Sequence, residues 1–540
     1  MTVMRKIITE NFAVIVLIFI IGACLTVKAT LENSWDFWRV GSAQALLSNK
    51  HWVNDGFFKN YFLFLPQGYS KAVRYFDDPE LRQHARGVTT GGFIGKRLYY
   101  THYPSGYLLP TALLMKLGVE KRFLLRFLEI LFSLGVLAIL YWIFLKISNR
   151  LVATLGIFYY GTSTLFLDYA DTLANQPIDE LLRFSIIALS IASLNFQKKY
   201  FKYLIWILYF VLSLSSYDST FFIFAWLIGI DILFNKKINW RLWIFWSLAP
   251  ILAFAIQLLQ NTLYLGWHNM LLDLYGAFKV QMVGSRSNFF VSHLKRLLDP
   301  FGWFFGVKWY LGIIVSILGI SSIWLIKKYS DLMRYLVLGF LAVLFHFLFF
   351  PSLFFYQGRI IAVFGGLLMG MLTVAIYKEI ISLFKTNTPV QRCIIVLGIF
   401  VLVLGLWFIQ GKRTYTYIKD WPNNVWQAES IEFDKKIKNL VNGDKVIFQM
   451  IGTEQEIPGP DRYPMAASED EYYIDAPILG FTNTNDLIRD FKYLKNRSEF
   501  PFSAIIIADQ EEIIEKIRKK MQIKDLASQK DKRYILIIPE

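Results

Sequence analysis

The chain has 540 residues, 55% of them hydrophobic and 17% aromatic, with 57 Lys and Arg against 41 Asp and Glu. That much apolar surface excludes an ordinary soluble domain, and in a membrane protein a net charge of +16 reflects Lys and Arg kept on the cytoplasmic side rather than a nucleic-acid partner. The two cysteines, Cys24 and Cys393, both lie in hydrophobic runs and exclude a disulfide framework or a zinc site of their own.

The chain opens on a short basic stretch and an apolar run at 7–29, too long for a signal-peptide core and without a small-x-small cleavage site. It reads as a retained first span. Hydropathy then places about eleven spans, at 7–29, 122–146, 151–168, 178–195, 202–217, 219–234, 242–264, 309–326, 333–350, 359–378 and 393–410. With the N-terminus inside, the short inner loops carry Arg5 and Lys6, Lys146 and Arg150, Lys198 and Lys199, Lys236 and Lys237, Lys327 and Lys328, and Lys385 and Arg392. The short outer turns near 168–177, 215–219 and 351–358 contain neither Lys nor Arg. This positive-inside pattern sets the orientation. It places the loop at 30–121, the loop at 266–308 and the tail at 411–540 outside, away from nucleotide sugars. Substrate must then arrive by way of the membrane.

The first outer loop begins with Glu32-Asn33-Ser34-Trp35-Asp36-Phe37-Trp38-Arg39. Apolar residues at Phe37, Val40, Ala43 and Leu47 give helical spacing, which predicts a helix lying along the interface. Asn54-Asp55-Gly56 signals a turn. A small hairpin is predicted over 89–100, then a turn at His102-Tyr103-Pro104-Ser105-Gly106-Tyr107 leading into a short apolar helix at 108–117. The second outer loop mixes His268, Lys279, Arg286, His293, Lys295, Arg296 and Lys308 with aromatics and leucines, the pattern of amphipathic interface helices. In the tail, strand-like runs at 445–450, 504–508 and 534–538 alternate with helical ones at 431–441 and 511–521, predicting a small α/β domain.

Asp36 and Arg39, three apart, share a helix face. Asp36 is either an acid stabilised by the first turn of a helix or a general base at the membrane surface, with Arg39 holding a phosphate beside it. Arg359 ends an outer turn and is either a snorkelling cation or a phosphate ligand. Asp168 and Asp171 flank a polar turn; they keep the turn wet or bind sugar hydroxyls. Arg126 and Glu129 read as an internal i,i+3 pair, and His346 as a core histidine.

The order of these features resembles the C-type (GT-C) glycosyltransferase superfamily, and within it the protein O-mannosyltransferases and the lipid A aminoarabinose transferase. Asp36-Phe37-Trp38-Arg39 is similar to that family's Asp-Glu-x-Arg. The stretch Tyr99-Tyr100-Thr101-His102-Tyr103-Pro104-Ser105-Gly106-Tyr107 is similar to its aromatic-(His/Lys)-Pro-Pro-x-Gly-Tyr. The segment from Asp171 to Asp179 with Pro177 is similar to the acidic turn before its fourth span, and Gln357-Gly358-Arg359 to its late arginine. The chain departs from the pattern at Phe37, where an acid is usual, and at Thr101, where some relatives carry Glu; a Trp-Trp-Asp motif is absent.

The resemblance implies a polytopic α-helical membrane protein with a GT-C-like region at 1–410, interface helices on the outer face and an extracytoplasmic α/β domain at 411–540. It implies an inverting transfer of a monosaccharide from a polyprenyl-phosphate donor to a lipid, glycan or protein acceptor. Asp36 would be the catalytic base. Arg39, His102 and Arg359 would bind the lipid phosphate, and Tyr100, Tyr103, Asp168 and Asp171 the substrate. No metal ligand set is expected and no cofactor, with a divalent ion left open. The expected location is the cell membrane, multi-pass, with a cytoplasmic N-terminus. A polyprenyl-diphosphate-linked glycan polymerase or ligase, and a lipid or sugar transporter, are the competing readings.

Overall fold

A computed structural model describes residues 2–31, 39–59, 61–65, 104–196, 199–236, 238–268, 270–271, 274–275, 330–349, 359–386, 397, several positions between 411 and 439, and 446–450, 478–481, 484–497, 504–508, 511–528 and 534–538. The chain divides into two units. The first comprises 1–37, 120–255 and 281–424; the second comprises 38–119, 256–280 and 425–540.

The first unit is a helical bundle. Its described helices are α1 (Thr2–Thr30), α4 (Arg122–Ile147), α5 (Arg150–Gly161), α6 (Thr164–Tyr169), α7 (Gln176–Phe196), α8 (Lys199–Ser215), α9 (Asp218–Ile230), α11 (Ser330–Phe349) and α12 (Arg359–Thr386), with α10 (Trp240–Leu265) running on into the second unit. Asn11–Thr30, Arg122–Ile147 and Trp240–Tyr264 are long and apolar enough to cross a membrane. Phe12, Phe19 and Ile20 on α1, and Ile244, Ile251 and Leu259 on α10, face outward. Large apolar side chains left outside on the longest helices suit hydrocarbon as solvent and mark an integral membrane protein.

The run expected as one span at 151–168 is two helices. Thr162 ends α5, and the Ser163 hydroxyl accepts from Phe166 N at 3.2 Å to cap α6. Short hydroxyl side chains give the backbone an alternative partner, which a hydropathy sum passes over. At 12 residues, α5 is about 18 Å long, shorter than a bilayer core. The spans expected at 309–326 and 393–410 lie outside the described residues, residue 397 aside, as do the hairpin at 89–100 and most of the second outer loop.

Glycine permits a close helix pairing in the bundle. A Cβ on Gly370 of α12 would sit 2.7 Å from Val152 O and 2.8 Å from Gly156 N of α5. Backbone thus lies on backbone, and only a residue without a side chain permits it.

In the second unit, α2 (Arg39–Asp55) packs with α3 (Leu109–Lys116). Asn49 Nδ2 donates to Thr111 Oγ1 at 2.8 Å and Trp52 Nε1 to Leu63 O at 2.8 Å. Gly56, with φ +98°, closes α2 where the turn was expected. The tail contains β1 (Val446–Met450), β2 (Ile478–Phe481), α13 (Thr484–Arg497), β3 (Ala504–Ala508), α14 (Glu511–Lys520), β4 (Lys524–Ser528) and β5 (Tyr534–Ile538). The strand order is β2-β1-β3-β5-β4, with β2, β1 and β3 parallel and β5 antiparallel to both β3 and β4. The central β3, Ala-Ile-Ile-Ile-Ala, is buried along its whole length, as a strand covered on both faces must be. Ile513, Ile514 and Ile517 of α14 join its core.

Replacing Gly370 with alanine should lower thermal stability in detergent by about 1–3 kcal/mol, the range for overpacking, because rigid backbone faces the new methyl. Gly229→Ala meets only the flexible end of Leu338 and should lose less. Equal losses would contradict the backbone-contact account.

Candidate functional site

Polar and charged side chains collect at one end of the first unit, where α1 and α6 finish and α7, α9 and α12 begin. Two knots form there. In the first, Asp171, in the turn after α6, accepts from Lys28 Nζ at 2.9 Å through Oδ1 and from Arg126 Nη2 through Oδ2. Lys28, in the last turn of α1, also donates to Leu167 O at 2.8 Å. Asp171 is 0% exposed. Burial alone would raise its carboxyl, but the charges of Arg126 and Lys28 outweigh that and hold it below the ordinary carboxylate value.

The second knot centres on Glu180. Asp179 and Glu180 occupy the first turns of α7, where the helix dipole favours acids, and Arg183 follows at the i+4 and i+3 spacing that lets it meet both. Arg183 lies 3.2 Å from Asp179 and 3.4 Å from Glu180. It also donates to Ser219 Oγ at 2.8 Å, which in turn donates to Asp179 Oδ2 at 2.7 Å. Glu180 Oε1 accepts from the Tyr160 hydroxyl at 3.0 Å, and its Oε2 from Arg359 Nη2 at 2.5 Å.

Arg359, the first residue of α12, is 2% exposed. Its guanidinium carbon lies 5.8 Å from the Phe166 ring centre and 5.6 Å from that of Tyr169, within cation–π range. It does not snorkel. Its Nε and Nη1 have no hydrogen-bond partner among the described residues, and neither do Asp179 Oδ1 and Arg183 Nε. Buried polar atoms are nearly always paired, so unmet donors on an inward-held cation suit an incoming acceptor. On the other side of Arg183 lies a small apolar cavity lined by Ile147, Phe184, Phe222, Trp226, Tyr335 and Leu367 among others.

Of the residues singled out in the sequence, the structure brings Arg359, Asp168 and Asp171 to this end of the bundle, all buried. Asp171 has both oxygens engaged by cations, one on each. Arg126, expected to pair with Glu129, bonds across the bundle to Asp171. His346 is buried as expected. Arg39 opens α2, with its side chain outside the description; Asp36, Tyr100, His102 and Tyr103 lie outside the described residues. Lys28, Tyr160, Glu180 and Arg183 were not anticipated. The available signal was Asp179-Glu180-x-x-Arg183 at the head of an apolar run, since ionisable residues there are rare without a role. Among the described residues no group of three or more His, Cys, Asp or Glu is gathered to hold a metal ion.

No family model matches the chain, and no curated protein matches it. Among solved structures it is similar to ArnT from Cupriavidus metallidurans in the apo state, at 12% identity and TM-score 0.45 over 89% of this chain and 96% of that one. It is similar to the same protein bound to undecaprenyl phosphate, at 12% identity and TM-score 0.46 over the same shares. The oligosaccharyltransferase of Archaeoglobus fulgidus tethered with an acceptor peptide aligns at 10% identity and TM-score 0.48, over 93% of this chain and 69% of that one. At TM-scores below 0.5 these likenesses carry no functional weight, and the chemistry of the site follows from its own side chains.

Removing one member of the Asp171 knot strands buried charges. Asp171→Ala should cost about 3–5 kcal/mol, read as a lower unfolding temperature in detergent. The triple replacement Lys28→Met, Arg126→Met and Asp171→Leu removes all three charges together and should recover most of that loss. A triple variant no more stable than Asp171→Ala would contradict this.

Proposed function

We propose that this chain is an inverting glycosyltransferase that moves a monosaccharide from a polyprenyl-phosphate donor to an acceptor on the outer face of a cell membrane. The observation that carries the reading is Arg359: a buried guanidinium, held by one carboxylate and two aromatic rings, with Nε and Nη1 unmet among the described residues. In an apolar bundle that arrangement suits a membrane-borne phosphate, because a lipid tail can enter from the hydrocarbon while the headgroup meets the fixed cation. The resemblance of Asp36 to Arg39, and of Tyr99 to Tyr107, to glycosyltransferase motifs supplies the reaction class.

In this mechanism an acceptor hydroxyl attacks the sugar C1 from the face opposite the phosphate. The new C1–O bond forms as the C1–O–phosphate bond breaks, which inverts C1. The Asp36 carboxylate takes the hydroxyl proton. Charge develops on the departing polyprenyl phosphate, where Arg359, Arg39 and His102 stabilise it. Tyr100, Tyr103 and Asp168 line the sugar. Asp171 serves the fold rather than the sugar. The polyprenyl tail lies on apolar surfaces between spans. The protein is multi-pass, with its N-terminus in the cytoplasm and the tail from residue 411 outside.

The test uses purified protein, a radiolabelled polyprenyl-phosphate sugar and a detergent extract as acceptor source. Asp36→Asn should reduce transfer by about 10²–10⁴-fold, the usual contribution of a general base. Undiminished transfer in that variant removes the base assignment. Transfer confined to diphosphate donors would instead identify a glycan polymerase or ligase.

A further inference from the structure

We infer that Glu180 is a positioning residue, one that aims the Arg359 guanidinium at the anionic headgroup of the lipid donor. This rests on the reading of Arg359 given above. Arg359 begins α12, where the partial positive charge of a helix N-terminus opposes a cation, and it is buried. Its charge therefore needs a fixed counter-ion. Glu180 provides one, but through a single nitrogen: Oε2 meets Nη2 at 2.5 Å, while Nε and Nη1 have no hydrogen-bond partner among the described residues. Arg–carboxylate pairs are frequently bidentate, and this one leaves the rest of the guanidinium fork open to another acceptor. The faces of Phe166 and Tyr169 at 5.8 and 5.6 Å hold the guanidinium at this place.

Glu180 is itself restrained. Its Oε1 accepts from Tyr160 at 3.0 Å and from Arg183 at 3.4 Å, and Arg183 is anchored to Asp179 and Ser219. The carboxylate therefore cannot turn to cover the unmet nitrogens. A buried donor without a partner costs about 1–3 kcal/mol, and more when charged. That cost is recovered when a phosphate oxygen arrives. Asp179 and Glu180 balance Arg183 and Arg359 in charge, so the knot attracts an anion by directed N–H groups rather than by surplus positive charge.

The sign of one measurement separates positioning from bulk charge. Glu180→Gln removes a negative charge, and Coulomb attraction alone would then tighten phosphate binding. Loss of aim would weaken it. Binding of undecaprenyl phosphate and of undecaprenol is measured on the full chain in detergent micelles. We expect Glu180→Gln to reduce the preference for the phosphate over the alcohol by about tenfold, with binding of the alcohol unchanged. Tyr160→Phe, which removes one restraint on Glu180, should reduce that preference by a smaller factor. A folded Glu180→Gln that binds the phosphate as well as or better than wild type, while Arg359→Ala has lost the preference, overturns the positioning role alone. An Arg359→Ala variant that keeps the preference overturns the phosphate reading beneath it. If Glu180→Gln does not fold, an unchanged preference in Tyr160→Phe overturns the role.

Discussion

Arg359 stands where a helix begins, inside an apolar bundle, and both circumstances oppose its charge. Only a fixed carboxylate makes the position tenable, and Glu180 is that carboxylate. The ion pair joins the heads of α7 and α12. Through Tyr160 it reaches the end of α5, and through Arg183 and Ser219 the start of α9. Four helices are thus fastened at one end by a single set of buried polar contacts, while elsewhere in the bundle apolar contact and glycine-mediated approach are joined by separate polar pairs such as Trp226 with Ser190. Polar groups sealed from water hold one geometry because every alternative strands a charge.

The Asp171 knot does comparable work for α1. Lys28 lies in the last turn of that helix, and its bond to Asp171 fixes where the helix ends relative to the turn after α6. The stretch bearing Asp36 follows in sequence. A buried carboxylate with both oxygens engaged by cations is a good anchor. Asp179 differs: Arg183 meets its Oδ2, while its Oδ1 has no hydrogen-bond partner among the described residues.

Much of the helical layout was legible in the sequence because long apolar runs have few alternatives in hydrocarbon. The runs at 7–29, 122–146, 178–195, 242–264 and 359–378 all fall on helices, and the strand-like runs at 445–450, 504–508 and 534–538 fall on β1, β3 and β5. What hydropathy could not show was the break at Ser163, since one hydroxyl barely alters a window average yet supplies a cap. β2 and β4 were missed because Ile-Leu-Gly-Phe and Lys-Asp-Leu-Ala-Ser lack a clear alternation; pairing with neighbouring strands defines them. The candidate site was less legible. Arg359, Asp168 and Asp171 could be marked as unusual, but the partners of Asp171 and Arg359 lie 45 to 179 residues away. Arg126 shows the limit of local spacing: its position invited pairing with Glu129, and nothing local pointed to the ion pair it makes with Asp171.

The most direct test of the account is a structure of the full chain with a polyprenyl phosphate bound. A phosphate oxygen should lie within about 3 Å, hydrogen-bonding distance, of Arg359 Nε or Nη1, with Glu180 still on Nη2. A phosphate seated elsewhere, with those two nitrogens still unmet, would contradict it.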